Sequence, residues 1–280
     1  MKNNKLLKVI SIFGASVLSM GVLAGCGSST TSAVGTAASS EASSETSASP
    51  ETSKETDSDN TIIMGTNAEF EPFEYREGLE IVGFDVEVAQ KVAEKLGKEL
   101  VIEDMSFDSL IMALNADKVD FVIAGMTATD ERKTQVDFSD SYFNSKQMII
   151  VKAEDDSLTS ADDLAGKKVG VQLGTTGDLF VSGTDGIAEV CQFQTGTQAV
   201  LDLKNGKVDA VVIDAEPAKK MIEGQSDLKL LDVPFIEEEY AVAVKKGDED
   251  ILKAVNQTLA EIKADGTYDE IYTKYFGTAE

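Results

Sequence analysis

From residue 61 onward, short apolar runs alternate with segments of helical periodicity. Runs at 61–65, 100–102 and 119–123 are rich in β-branched residues, which is typical of buried strands. The segment before the second of these runs places five apolar residues on one helical face: Val88, Ala89, Val92, Ala93 and Leu96. Strands and helices that alternate in this order predict a parallel sheet with crossover helices.

A second series of the same kind follows further along the chain. We expect strands at 168–172 and 208–213, with Asp178 and Thr197 as N-caps of the helices between them. A strand over 240–244 and two further helices then complete the pattern. The length from residue 61 to residue 280 suffices for one large or two modest α/β domains.

A short internal sequence repeat links the two series. Residues 114–123 and 203–212 each combine a helix end, a turn and a buried strand around a shared Lys-Val-Asp. A chance recurrence of three residues is the alternative. The repeat favours two similarly built halves.

The first 60 residues have a different composition. A basic start and an apolar segment at 9–23 precede Cys26, and the Leu-Ala-Gly-Cys around it resembles a lipobox. This predicts a lipoprotein signal peptide over 1–25 and a diacylglycerol-bearing Cys26; an ordinary secretory signal or a short membrane anchor is the alternative. Residues 26–60 are rich in Ser, Thr, Ala and Glu, which predicts a disordered tether because little apolar surface can be buried.

Composition excludes several functions. The chain has a net charge of −25, which argues against nucleic-acid binding. It has no His, which removes Ser-His and Cys-His nucleophile systems and His-based metal sites. We expect no cofactor and no metal. Cys191, the cysteine left after cleavage, has no partner for an internal disulfide and is expected to be a small buried residue in a strand.

Candidate binding chemistry follows the strand at 119–123, in the sequence AGMTATDER over 124–132. Ligands of open α/β sheets bind at the carboxyl ends of strands. Arg132 carries a guanidinium, which can hold a carboxylate through two parallel hydrogen bonds, and Thr127 could donate to the same carboxylate. A short helix should begin near Thr129 or Asp130. A surface arginine in a charged helix is the alternative.

Several motifs in order carry a family resemblance. With GTNAEFEPFEY at 65–75, VGFDV at 82–86, DFSD at 137–140 and GTYDEIY at 266–272, the stretch at 124–132 resembles the polar amino-acid family of extracytoplasmic solute-binding proteins of ABC importers. The motifs cover nearly all of the chain after residue 60. Together they are far more specific than any one alone.

The resemblance implies an α/β, two-lobed, periplasmic-binding-protein-like fold of type II, with a mostly parallel sheet flanked by helices in each lobe. Lobe 1 would comprise residues 61–141 plus 242–280, and lobe 2 residues 147–236. Two hinge strands, at 142–146 and 237–241, would open and close a cleft between the lobes.

The resemblance also implies which residues contact the ligand. Arg132 and Thr127 would bind the α-carboxylate of an amino acid, and the carbonyl of Ala124 or Gly125 would accept from its ammonium. Asp214, on the other lobe, would pair with the same ammonium. A helix cap is the alternative role for Asp214.

Aromatic and polar residues would receive the ligand side chain. The resemblance places Phe70 and Phe107 around it, although core packing explains most phenylalanines; Phe73 and Phe84 are expected in the core. Specificity should fall on three polar residues: Asn67, Gln172 and Thr176.

Two of these positions depart from relatives. Asn67 stands where an Asp is often found, and Gln172 stands where glutamine-specific relatives carry Lys. Two neutral amides favour a neutral polar ligand, although Glu69, Glu71 or Glu74 could supply a counter-charge for a cation.

The expected function is therefore a substrate-binding lipoprotein of an amino-acid ABC importer. It would capture a polar L-amino acid, with a neutral one such as glutamine favoured, and deliver it to the permease transmembrane subunits. A cationic amino acid or cystine, an enzyme of the same fold (dehydratase-like) and a sensor lobe for a membrane partner are the alternatives. We expect a monomer, lipid-anchored on the outer face of the cell membrane, at a Gram-positive surface or in a periplasm.

Overall fold

The computed structural model describes residues 60–231 and 236–278. The predicted signal peptide over 1–25, the lipidation at Cys26 and the tether up to residue 59 lie outside the described residues. In chain order the strands are β1 (Thr61–Thr66), β2 (Glu69–Phe70), β3 (Glu74–Glu77), β4 (Glu80–Val82), β5 (Glu99–Asp104), β6 (Phe121–Val122), β7 (Val136–Phe138), β8 (Phe143–Lys152), β9 (Lys168–Gln172), β10 (Glu189–Phe193), β11 (Ala210–Asp214), β12 (Leu228–Leu230), β13 (Ile236–Tyr240) and β14 (Ala243–Lys245).

Helices connect most of these strands. They are α1 (Phe84–Leu96), α2 (Leu110–Asn115), α3 (Asp130–Lys133), α4 (Thr176–Gly183), α5 (Gly196–Lys204), α6 (Ala215–Ile222), α7 (Glu249–Asp265) and α8 (Thr267–Phe276). Two short 3₁₀ helices lie at Phe107–Ser109 and Ala161–Leu164. Gly97 ends α1 in the left-handed conformation, which glycine adopts without steric cost.

The strands form two large sheets and one small one. The first large sheet has the order β5-β1-β6-β14-β7, with β1 parallel to β5 and β6 and with β14 antiparallel to both of its neighbours. The second has the order β10-β9-β11-β8-β12. In it β9 is parallel to β10 and β11, whereas β8 is antiparallel to β11, β12 and β13. Both sheets are thus mixed, and β2, β3 and β4 form a small antiparallel sheet.

The chain passes between the two large sheets twice. It leaves the first sheet after β7 and enters the second through β8, and it returns between β13 and β14. The strands next to these crossings pair antiparallel, with Phe143 opposite Tyr240. The continuous strand predicted over 240–244 is therefore wrong, because residues 241 and 242 carry the chain from one sheet to the other.

Aromatic rings fill the space around the crossings. Phe73 and Phe84 are fully buried, which confirms their predicted place in the core. The Phe73 ring meets Phe143 at 4.8 Å and Tyr240 at 5.3 Å between centroids. Edge-to-face pairs of this kind add to the hydrophobic stabilisation of the rings. Phe276, from α8, packs into the same cluster at tilted and edge-to-face angles.

Two helix caps differ from the prediction. The hydroxyl of Thr175 caps α4 by accepting from the Asp178 N–H, and that of Thr195 caps α5 by accepting from the Gln198 N–H. Each helix thus begins before the predicted capping residue, so the caps assigned to Asp178 and Thr197 are wrong. Cys191 does lie in a strand, but it is half-buried rather than buried.

Candidate functional site

A narrow cavity lies between the two large sheets. All ten residues that the sequence singled out for ligand contact line it, and Glu74 and Thr175 complete the lining. The ten are Asn67, Phe70, Phe107, Ala124, Gly125, Thr127, Arg132, Gln172, Thr176 and Asp214. They gather because most of them follow the carboxyl ends of parallel strands, which meet at one edge of each sheet.

Arg132 is buried against the cavity, with 6% of its surface exposed. The hydroxyl of Thr129 accepts from the Arg132 N–H at 3.2 Å, which confirms Thr129 as the N-cap of α3. The guanidinium donates to the Thr127 carbonyl at 2.7 Å and to the Gly174 carbonyl at 2.9 Å. It also lies 5.3 Å from the centre of the Phe107 ring, a cation–π distance. The alternative of a surface arginine is therefore wrong.

Asp214 ends β11 on the opposite side of the cavity. It stands at the N-cap position of α6, but its side chain makes no capping hydrogen bond, so a capping role does not explain it. Its carboxylate accepts from the hydroxyls of Tyr240 and, at 3.3 Å, of Ser145. Burial, and next the neighbouring carboxylate of Glu238, raise the pKa of Asp214 to about 7.

Glu238 is an acidic residue of the site that the sequence analysis missed. Its carboxylate accepts from the Thr127 hydroxyl at 3.1 Å and from the Gln147 amide at 3.1 Å. Burial lowers the pKa of the Arg132 guanidinium, and Glu238 is the largest opposing charge. A run of three glutamates suggests a solvated surface. The alternation of a strand, which buries Glu238 and exposes both neighbours, is the signal that could have found it.

The side-chain amides of Asn67 and Gln172, which suggested a neutral ligand, form a hydrogen bond with each other. Gln172 donates through Nε2 to Asn67 Oδ1 at 2.8 Å, and Asn67 donates through Nδ2 to the Met105 carbonyl at 2.9 Å. Gln172 donates a second time, to the Gln194 carbonyl at 3.2 Å. Their hydrogen-bonding groups are therefore largely committed within the protein. Thr176, the third specificity candidate, accepts from Gln147 at 3.3 Å.

Glu74 brings a carboxyl group into the cavity lining. It is 1% exposed, and within the described residues neither carboxylate oxygen has a hydrogen-bond partner. Burial, and then the charge of Asp85, raise its pKa well above the usual range. Of the three glutamates considered from the sequence, Glu69 and Glu71 are exposed and do not line this cavity. Glu74 alone of these three can face a ligand there.

Phe70 packs closely against the backbone of Gly125. Gly125 has φ of +53°, and a Cβ at this position would lie 2.7 Å from the Phe70 ring. A glycine is therefore required both for the backbone conformation and for the approach of the ring. Phe70, Ala124 and Gly125 line the cavity together.

Two further features concern metal binding and membrane insertion. Across residues 60–231 and 236–278, no three His, Cys, Asp or Glu side chains are grouped so as to hold a metal ion. Over the same ranges, no helix combines the length and apolar character needed to cross a membrane.

Comparison with known proteins gives consistent matches. Residues 62–278 match the sequence profile of the bacterial extracellular solute-binding proteins, family 3. The arginine-binding extracellular protein ArtP of Bacillus subtilis (strain 168) is 39% identical over 223 residues, covering 77% of this chain and 86% of that protein. The L-cystine-binding protein TcyJ of Escherichia coli (strain K12) is 34% identical over 220 residues, covering 78% and 83%.

Solved structures match over the same region. An ancestral arginine-binding protein bound to arginine superposes with a TM-score of 0.75 at 44% identity, covering 78% of this chain and 99% of that chain. The structure of an ancestral arginine-binding protein bound to glutamine matches with the same TM-score of 0.75.

Proposed function

Because the chain belongs to family 3 of the bacterial extracellular solute-binding proteins, we propose that it captures an amino acid with a cationic side chain for an ABC importer. Its two-lobed type II fold is that of the family, as the sequence predicted. Arginine-binding and cystine-binding relatives support an amino-acid ligand. The cavity residues and their charges support the cationic class.

The two charged groups common to all amino acids have a partner on each side of the cavity. Arg132, with the Thr127 hydroxyl, binds the α-carboxylate, and Asp214, with the carbonyl of Ala124 or Gly125, binds the ammonium. Burying either ligand charge without a partner would cost several kcal/mol. Charge-assisted hydrogen bonds contribute on the order of 1.5–3 kcal/mol each. The residues that pair with the ligand charges thus come from both lobes, and binding favours a closed cleft.

The charge balance of the cavity carries the proposal. The Arg132 guanidinium lies near two buried acidic side chains, Asp214 and Glu238, and a third, Glu74, lines the same cavity. A zwitterion brings no counter-charge for Glu74, whose raised pKa favours the neutral carboxyl group. An amino acid with a cationic side chain supplies one positive charge, and Glu74, whose carboxyl oxygens have no hydrogen-bond partner among the described residues, lines the cavity that would receive it.

A neutral ligand has less support than the sequence suggested. That preference rested on Asn67 and Gln172, whose amides are occupied with each other. Relatives that match this chain include proteins named for binding arginine, histidine and cystine. We therefore propose arginine or lysine in place of glutamine, and we keep cystine as the second candidate because a cystine-binding relative is 34% identical.

Calorimetric titration of the full-length chain with arginine, lysine, histidine, glutamine and cystine tests this proposal. We expect arginine or lysine to bind at least tenfold more tightly than glutamine, which corresponds to ~1.4 kcal/mol. Tighter binding of glutamine or cystine would overturn the cationic assignment. The same samples are then analysed by chromatography, because consumption of the ligand would indicate an enzyme of this fold instead of a binding protein.

We also propose how the two lobes are composed and where they hinge. The first large sheet centres lobe 1 (61–141 plus 242–280), the second centres lobe 2 (147–236), and the crossings at 142–146 and 237–241 act as hinges. Small-angle scattering with and without arginine should report a smaller radius of gyration for the bound form. No change would count against closure about these hinges.

Lipid attachment at Cys26 would hold the binding domain outside the membrane, near the permease. At least two acyl chains are needed for stable anchoring. In cells fed labelled palmitate, the wild-type chain should carry label and sediment with membranes, whereas Cys26→Ala should carry none and be released. Equal sedimentation of both chains would contradict the anchor.

A further inference from the structure

Two buried carboxyl groups lie side by side behind the cavity wall. Glu74, from β3, lies beside Asp85, from the first turn of α1: the Asp85 N–H donates to the carbonyl of Phe73, the residue before Glu74, at 2.9 Å, and the two carboxyl groups interact. Asp85 Oδ2 accepts from the Gly125 N–H at 2.8 Å and from the Tyr142 hydroxyl at 2.7 Å. The other oxygen of Asp85 and both oxygens of Glu74 lack a partner among the described residues.

A shared proton resolves this arrangement. Two ionised carboxylates can only accept hydrogen bonds, so neither can satisfy the other. One proton between them supplies the missing donor and removes one of two adjacent buried charges. The proton belongs mainly to Glu74, because Asp85 already receives two donors that stabilise its negative form.

The surrounding groups favour retention of that proton. Asp104 and Asp214 are the other carboxylates whose charges act on Glu74, and both raise its pKa. The Tyr142 hydroxyl faces Asp85, and the charge of Asp85 reaches Tyr268. Burial raises the pKa of Asp85 itself to about 6, and it raises that of Glu74 well above the usual range.

We propose that the Glu74–Asp85 pair holds one proton in the ligand-free cleft and releases it to solvent when the cationic end of a ligand side chain enters. This inference rests on the proposed function. The charge balances: the pair changes from one negative charge to two, the ligand side chain adds one positive charge, and one proton leaves. Glu74 is thereby the residue that distinguishes a cationic from a neutral side chain.

Two predictions separate this pair from the rest of the site. Asp214 also has a raised pKa, but it pairs with the ammonium that every amino acid carries, so any proton it loses is lost with arginine and glutamine alike. The excess of protons released with arginine over glutamine therefore reports the Glu74–Asp85 pair. Affinity for arginine should also rise with pH, because the pair must lose its proton, while the affinity for glutamine changes less.

The test is calorimetry of the full-length chain at pH 7 in buffers of different ionisation enthalpy, with arginine and with glutamine. The dependence of the observed heat on buffer gives the number of protons released. We expect about one more proton with arginine than with glutamine in the wild type. Glu74→Gln should abolish the difference, whereas Glu77→Gln, the same change at an exposed position of β3, should preserve it.

The outcomes are distinguishable. Arginine binding without excess proton release overturns this inference and leaves the proposed function intact. A failure of both arginine and lysine to bind overturns both; if only lysine binds, lysine takes the place of arginine in the comparison with glutamine. The comparison of the two ligands on the wild-type chain decides the question even if Glu74→Gln does not fold, and an excess that persists in a folded Glu74→Gln chain would assign the proton to another group.

Discussion

The Arg132 guanidinium donates to the carbonyl oxygen of Gly174 at 2.9 Å. This hydrogen bond joins the wall of the cavity that belongs to the first large sheet to the wall that belongs to the second. The other terminal nitrogen of the guanidinium donates to the Thr127 carbonyl at 2.7 Å. A single buried side chain therefore fixes the loop that carries it and touches the opposite wall. This places a positive charge at a defined point where a ligand carboxylate can reach it.

Removal of the Arg132 guanidinium should weaken every amino-acid ligand. We expect Arg132→Ala to raise the Kd at least tenfold, or ~1.4 kcal/mol, because the α-carboxylate loses its cation. Lys133→Ala, a neighbouring exposed cation on the same short helix, is the control and should leave the Kd unchanged. Calorimetry measures both; an unaltered Kd in Arg132→Ala would remove this residue from the site.

A carboxylate at position 67 should increase the preference for cations. Asn67→Asp retains an acceptor for Gln172 Nε2, but it replaces the amide that donates to the Met105 carbonyl. We expect the ratio of arginine to glutamine affinity to rise severalfold, measured by titration with each ligand. Identical ratios before and after the substitution would argue that residue 67 does not select the side chain.

Asp214 should make the ligand-free chain less stable as pH rises. Its pKa is about 7 in the folded state against 3.8 as the usual value, so the folded state binds the additional proton between these values. The contribution of Asp214 to stability therefore decreases with rising pH across that window and levels off above pH 7. Urea denaturation from pH 4.5 to 7.5 should show a shallower decrease in Asp214→Asn than in Asp130→Asn, an exposed control. Equal slopes would contradict the assignment.

Glu238 should set the pH at which the Asp214-dependent decrease in stability ends. The Glu238 charge raises the pKa of Asp214, so Glu238→Gln should lower this pKa and move the end of the stability decrease to lower pH. Glu239→Gln, the next residue on the same strand but exposed, should leave the profile as in the wild type. The same urea series checks both variants, and matching profiles for the two would show that Glu238 does not act on Asp214.

A methyl group at Gly125 should be costly for two reasons. The positive φ disfavours any side chain by about 1–2 kcal/mol, and the Phe70 ring lies too close for a Cβ. Gly78→Ala has a similar φ of +67° with no atom within 4 Å, so it isolates the backbone effect. Thermal unfolding should show a larger loss for Gly125→Ala than for Gly78→Ala. Equal losses would mean that Phe70 moves aside without cost.

Residue types after a buried strand were sufficient to single out Arg132 and Thr127, and the family resemblance supplied the other predicted residues of the cavity lining. Arg132 comes shortly after β6 and Asp214 ends β11, so each lies near the carboxyl end of a strand, but the two strands belong to different sheets. The family motifs then supplied what spacing could not, namely that these two edges face each other.

Other features depended on tertiary context. The N-caps of α4 and α5 come before the predicted residues. Several residues near each helix start can cap the helix, and only the path of the preceding loop decides which of them does. Residues 240–244 are uniformly apolar, so their pattern cannot show that the chain changes sheets there. The pairing of Asn67 with Gln172 spans 105 positions, and no local pattern indicates that two amides satisfy each other.

The hydrogen bonds from Arg132 to Gly174 and from Gln172 to Asn67 have a consequence for selectivity. The protein makes these contacts with itself, so an arriving solute competes with internal partners and does not enter a vacant set of donors and acceptors. Its measured affinity is then the difference between what it contributes and what the walls give up. Two solutes of similar shape are separated by how completely each one replaces the bonds it displaces.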